Sequence, residues 1–217
     1  MTHLLLVYLH LIATCAAVGL ILASDVRVAS TLWERVRRPE ARREPLRLQP
    51  PSAFVVRMVL GSLVVLVLTG IGLVALALEA RADALDNPKL QAKLVFVALL
   101  IADSLALHRL SLPALAGRQR VRTPGVIARL RRAAWITWPV AISQATWAWC
   151  AFLGVARPWN FTMPLEAVLG LGAGLIGCVW LAATVLIAAA SAPPIGRVTR
   201  IPTLDIAADP QPAGQRA

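Results

Sequence analysis

The sequence predicts an all-α integral membrane protein, with five transmembrane helices in an antiparallel up-down bundle, the N-terminus outside and the C-terminus inside. Three observations carry this. The chain is 58% hydrophobic and has a mean hydropathy of +0.70. It holds five apolar runs of spanning length, about 20 residues each at roughly 1.5 Å rise per residue. Its arginines gather in alternate connections between those runs, as the positive-inside rule requires.

The first span is expected over 4–23. It lacks a basic start and runs directly into Ser24, Asp25 and Arg27, so it does not read as a cleaved leader. Residues 25–52 form a polar connection in which 26–38 can start as an amphipathic helix on the membrane surface, with Trp33 at the interface. Prolines at 39, 45, 50 and 51 then end it. The second span, 53–78, begins near Arg57, which can snorkel to the headgroups, and carries Thr69-Gly70-Ile71-Gly72 as a small face for helix packing. A short acidic connection leads to Pro88, suited to the first turn of a helix, and its shortness predicts that the second and third spans are antiparallel neighbours. The third span is expected over 90–108. A second basic loop follows, broken by Pro113, Pro124 and Gly125. The fourth span, 133–155, holds four tryptophans, Pro139, and Ser143 with Gln144 at its midpoint. The fifth, 165–190, contains Gly170, Gly172, Gly174 and Gly177, a small face for a second copy or a partner subunit. Residues 1–190 are thus one helical bundle, and 191–217 read as a disordered Pro- and Ala-rich cytoplasmic tail.

Orientation follows from the basic residues. The two long connections hold seven arginines each and the tail three, against Arg81, Lys89 and Arg157 in the short connections. The net charge of +11 therefore reflects membrane sidedness. No basic face interleaved with aromatics points to nucleic acid. Cys15, Cys150 and Cys178 all fall inside spans without CxxC spacing, so neither a zinc site nor a disulfide framework is expected.

The chemistry-bearing residues are those an apolar helix should not contain. The third span carries Lys93, Asp103 and His108, and an ionisable group at membrane depth costs roughly 2.5–3.5 kcal/mol unless it finds a partner, a cavity or the interface. The first span carries His10, about 9 Å below its outer end. Lys93 sits a few residues below the outer end of its own span, so the two share a layer. Asp103 is about 15 Å deeper than Lys93 and His108 about 22 Å deeper. Asp103 cannot snorkel far, so it must pair, bond Ser104 or Gln144, or stay protonated. His3 precedes His10 by one heptad and sits at the outer surface.

Tyr8-Leu9-His10-Leu11-Ile12 with Gly19 resembles the first helix of a group of bacterial inner-membrane proteins. Asn87-Pro88-Lys89-Leu90-Gln91-Ala92-Lys93-Leu94 resembles the third helix of the same group. More distantly, the pattern is similar to HemJ-type protoporphyrinogen oxidases and to the membrane domain of copper-resistance D proteins. The resemblance covers about residues 4–110. It implies a bacterial inner-membrane location, bound haem b, His10 as a haem ligand and Lys93 as the catalytic partner. The tryptophan and arginine that flank the first helix in those oxidases have no evident counterpart here, and the fifth span and long basic loops are also departures.

Two other readings stay open beside a haem- or porphyrin-binding membrane redox protein. One is a small metal or solute transporter, with His3 and His10 at an outer entry and Asp103 as a deeper relay. The other is a non-catalytic membrane subunit or scaffold. No phosphate-binding glycine loop, Ser/His/Asp set or HExxH motif is present. An enzymatic role is therefore carried by the resemblance alone.

Overall fold

A computed structural model describes residues 1–38, 40, 46, 48–49, 51–107, 109 and 125–192. They form five helices, α1 (Thr2–Arg37), α2 (Ala53–Ala80), α3 (Pro88–Ala106), α4 (Val126–Val155) and α5 (Leu165–Ala190), with no strand among the described residues. One-turn 3-10 segments, Ala84–Asp86 and Arg157–Trp159, sit between α2 and α3 and after α4. His108, most of the second basic loop and the tail from 193 onward lie outside the described residues.

The α1 helix runs 36 residues without a break, about 54 Å at 1.5 Å per residue, against a hydrocarbon core of about 30 Å. The polar connection expected from residue 25 is therefore helical as far as Arg37. Its hydroxyls explain how. Ser24 Oγ donates to the Leu20 carbonyl at 3.0 Å and Thr31 Oγ1 to the Arg27 carbonyl at 2.9 Å, so these side chains bond back along the helix. The helix gives way at Arg38, which is extended (φ −112°, ψ 95°), the conformation favoured for the residue before a proline. This second half does not lie apart on a membrane surface. Leu32 packs into a cluster with Leu48 and Ala190, which joins it to the end of α5.

Caps set the other starts. Ser52 Oγ accepts from the Val55 amide at 3.3 Å, and Asn87 Oδ1 accepts from the Lys89 amide at 3.1 Å, with Pro88 in the first turn of α3. Gly125, at φ 89°, turns the chain into α4, which starts seven residues before the expected 133. Pro139 stays inside α4. Around it, Thr137 Oγ1 donates to the Ala133 carbonyl at 2.9 Å and Trp180 Nε1 to the Ala134 carbonyl at 2.9 Å. In the connection between α2 and α3 Arg81 clasps Asp83 through two hydrogen bonds, of 3.0 and 2.7 Å. That hydrogen bonding holds the Asp83 carboxyl below its usual range.

The packing corrects one sequence expectation. The main partner of α2 is α1, whereas α3 lies against α4 and α5, and α2 and α3 share no extended interface. A short connection makes two helices consecutive, but it does not make them each other's principal packing surface. The closest fit is at Gly172, where a Cβ would run into the Phe96 ring and lie 2.8 Å from Trp149 Nε1.

Leucines, valines and isoleucines such as Leu4, Leu68, Ile71, Val155 and Leu181 point outward along the helices, which suits a bilayer as solvent. By length and composition α1, α2 and α5 are apolar enough to cross a membrane. The 19-residue α3 holds Lys89, Lys93 and Asp103, and α4 holds four tryptophans with Thr137, Gln144 and Thr146.

Candidate functional site

The His10 ring is held by α2. Its Nδ1 lies 2.8 Å from Thr69 Oγ1, and Thr69 Oγ1 lies 2.7 Å from the Val65 carbonyl oxygen. A hydroxyl has one proton to give. A carbonyl oxygen can only accept, and one arrangement gives the Thr69 proton to Val65. In that arrangement Thr69 Oγ1 accepts from His10 and Nδ1 is the protonated nitrogen. Nε2 then keeps the lone pair and is the atom available to a metal, a proton or a donor. Gly70, next to Thr69, leaves room on the same side, since a Cβ there would sit 3.8 Å from His10 Cε1.

Lys93 comes from α3 and is half-buried. A Cβ on Gly154 of α4 would stand 3.9 Å from its Nζ. Helix rise alone places His10 and Lys93 in one layer. Lys89, one turn earlier on the same face, is 8% exposed and donates from Nζ to the Ala156 carbonyl at 3.0 Å. It satisfies a carbonyl at the end of α4 and ties that end to the start of α3.

A second polar group lies deeper. Gln144 Nε2 donates to Asp25 Oδ1 at 2.7 Å, joining α4 to α1. Of the partners open to Asp103, Gln144 turns its amide to Asp25, and Ser104 Oγ donates to the Ile101 carbonyl at 2.7 Å. Asp103 is 6% exposed, and its Oδ2 has no hydrogen-bond partner. On α4, Thr146 Oγ1 and Trp149 Nε1 are also buried without partners, and Trp149, Phe152 and Trp159 pack ring against ring with centroids 5.2–6.1 Å apart.

Other residues singled out in the sequence are scattered. His3 is exposed near the start of α1. The described residues contain no group of three or more His, Cys, Asp or Glu side chains able to hold a metal ion. Thr69, Lys89 and Asp25 were not among the expected site residues. In sequence Thr69 belongs to a packing face of α2, and Lys89 and Asp25 to polar connections.

No protein-family model, curated protein or solved structure matches this chain. The functional reading therefore rests on the residues and their geometry.

Proposed function

We propose that this chain is a multi-pass bacterial inner-membrane protein with five spans, its N-terminus outside, whose His10–Lys93 layer binds a porphyrin, with haem b the leading ligand. The observation that carries this reading is the contact of His10 Nδ1 with the Thr69 hydroxyl at 2.8 Å. With Nδ1–H donated to Thr69, the imidazole presents a basic Nε2, the donor that haem iron takes from a histidine. Lys93 adds a cation at the depth expected for His10, suited to a porphyrin carboxylate. Haem bound there would supply one-electron chemistry. The protein's own part is to hold the ring, place the ammonium and keep the layer apolar. The HemJ-like pattern of the first and third helices agrees with this assignment of roles.

The test is the visible spectrum of protein purified in mild detergent after expression with ample haem, oxidised and reduced, wild type beside His10→Ala. The expected outcome is a haem spectrum in the wild type that the variant lacks. A featureless spectrum from folded, monodisperse wild type removes the cofactor assignment.

One observation favours a second reading, a small transporter. Asp103 keeps a buried carboxylate oxygen without a partner, and intramembrane carboxyls of this kind mark ion and proton paths. In that case Asp103→Asn abolishes ion-coupled uptake while leaving any haem spectrum unchanged.

A further inference from the structure

A groove of about 790 Å³ opens at the opposite end of the bundle from His10 and Lys93. Its lining comes from one face of α4, namely Ala128, Arg131, Arg132, Ala134, Trp135 and Trp138, and from Trp180 of α5. The spacing 128, 131, 132, 135, 138 is that of a single helix face. The two alanines keep its floor low, and the tryptophans wall it. Trp138 and Trp180 meet edge to face at 5.5 Å. Trp135 is 70% exposed, a large ring left open by the described elements.

The groove is ordered along its length. Arg131 and Arg132 stand at the polar end of α4, and the tryptophans follow within about 10 Å toward the bundle centre. The second half of α1, with Arg27, Arg35 and Arg37, is brought to this same end by the packing of Leu32 against Ala190. Guanidiniums first and amphipathic rings next is the sequence of chemistry met on entering a leaflet, phosphate before glycerol and acyl chain. A free phosphate would use the arginines and leave the aromatic wall unused. A peptide partner would need no such polar-to-apolar order.

We infer that this groove binds an anionic phospholipid of the inner leaflet, its phosphate on Arg131 and Arg132 and its glycerol and upper acyl chains along Trp135, Trp138 and Trp180. The inference rests on the membrane reading and on the arginine-rich end facing inward, and it is independent of any cofactor at His10.

The full chain in mild detergent is titrated with phosphatidylglycerol and with phosphatidylcholine of identical acyl chains, and bound lipid is counted by native mass spectrometry. Phosphatidylglycerol is expected to bind in preference. Arg131→Gln with Arg132→Gln should weaken it roughly tenfold, as two charge-assisted contacts are lost. Arg27→Gln with Arg37→Gln, which removes the same charge from the same end, should leave it unchanged. Trp135→Ser keeps both arginines and alters only an exposed ring, so it decides the matter if the double variant fails to fold, and it too should weaken binding. Equal affinity for the two lipids, equal loss in both double variants, unchanged binding in Trp135→Ser, or displacement of the lipid by millimolar inorganic phosphate would each overturn the assignment.

Discussion

At the scale of single residues, the site depends on one hydroxyl. Replacing Thr69 with Val removes the hydroxyl partner of His10 Nδ1 and keeps the shape. Freed of its partner, the ring can turn or change tautomer, and loss of such an outer partner typically weakens a ligand histidine by 10–100-fold. Haem titration of Thr69→Val should show a weakening in that range, with Thr69→Ser near wild type. Equal affinity in all three would mean that Thr69 does not orient the ring. His10 and Lys93 were legible in the sequence because a charge in an apolar run stands out by its insertion cost. Thr69 was not, because a threonine bonds its own i−4 carbonyl and enters an apolar helix without such a cost. The bond of Gln144 was not legible for a related reason. Its partner is Asp25, which the sequence placed in a loop.

At the scale of helices, all five apolar runs correspond to helices, since each is long, apolar and bounded by proline, glycine or charge. The ends of α1 and α4 were less legible. Arginine is a good helix former, and a run such as Asp25–Arg37 interrupts hydropathy without interrupting the helix. Glycines also divide in a way that composition hides. Gly172 lies against Phe96 and Trp149, whereas Gly170 and Gly174 have nothing within 4 Å of a built Cβ. Gly172→Ala should therefore lower thermal stability in detergent by roughly 1–3 kcal/mol through overpacking, while Gly170→Ala should be neutral or slightly stabilising. Equal melting temperatures for the two variants would contradict this packing. The open stripe of Gly170 and Gly174 continues one turn on to Cys178, which is exposed, and small-xxx-small spacing lets two helices approach closely. If a second copy docks there in parallel, mild oxidation of native membranes should produce a dimer cross-link that Cys178→Ser removes and Cys15→Ser does not. A cross-link that survives Cys178→Ser would place the contact elsewhere.

At the scale of the whole molecule, the open question is whether α3 and α4 cross the bilayer with the three more apolar helices. Physical accounting favours five crossings. Lys89 and Asp103 both lie buried on α3, which packs against α4 and α5, so these charged side chains are screened from lipid by protein, the arrangement in which ionisable residues are tolerated. A three-span arrangement would also export the second basic connection, with its seven arginines, against the positive-inside bias. Both arrangements put the C-terminus inside, so a C-terminal reporter cannot separate them. The second basic connection can. With Cys15, Cys150 and Cys178 replaced by alanine, Gln119→Cys supplies a single thiol there. In intact cells a membrane-impermeant maleimide should leave it unlabelled, and permeabilisation should expose it. Labelling in intact cells would mean that α3 does not cross. The His10–Lys93 layer would then have to form at an outer interface, where water competes for both side chains and Lys93 would no longer be a costly intramembrane charge.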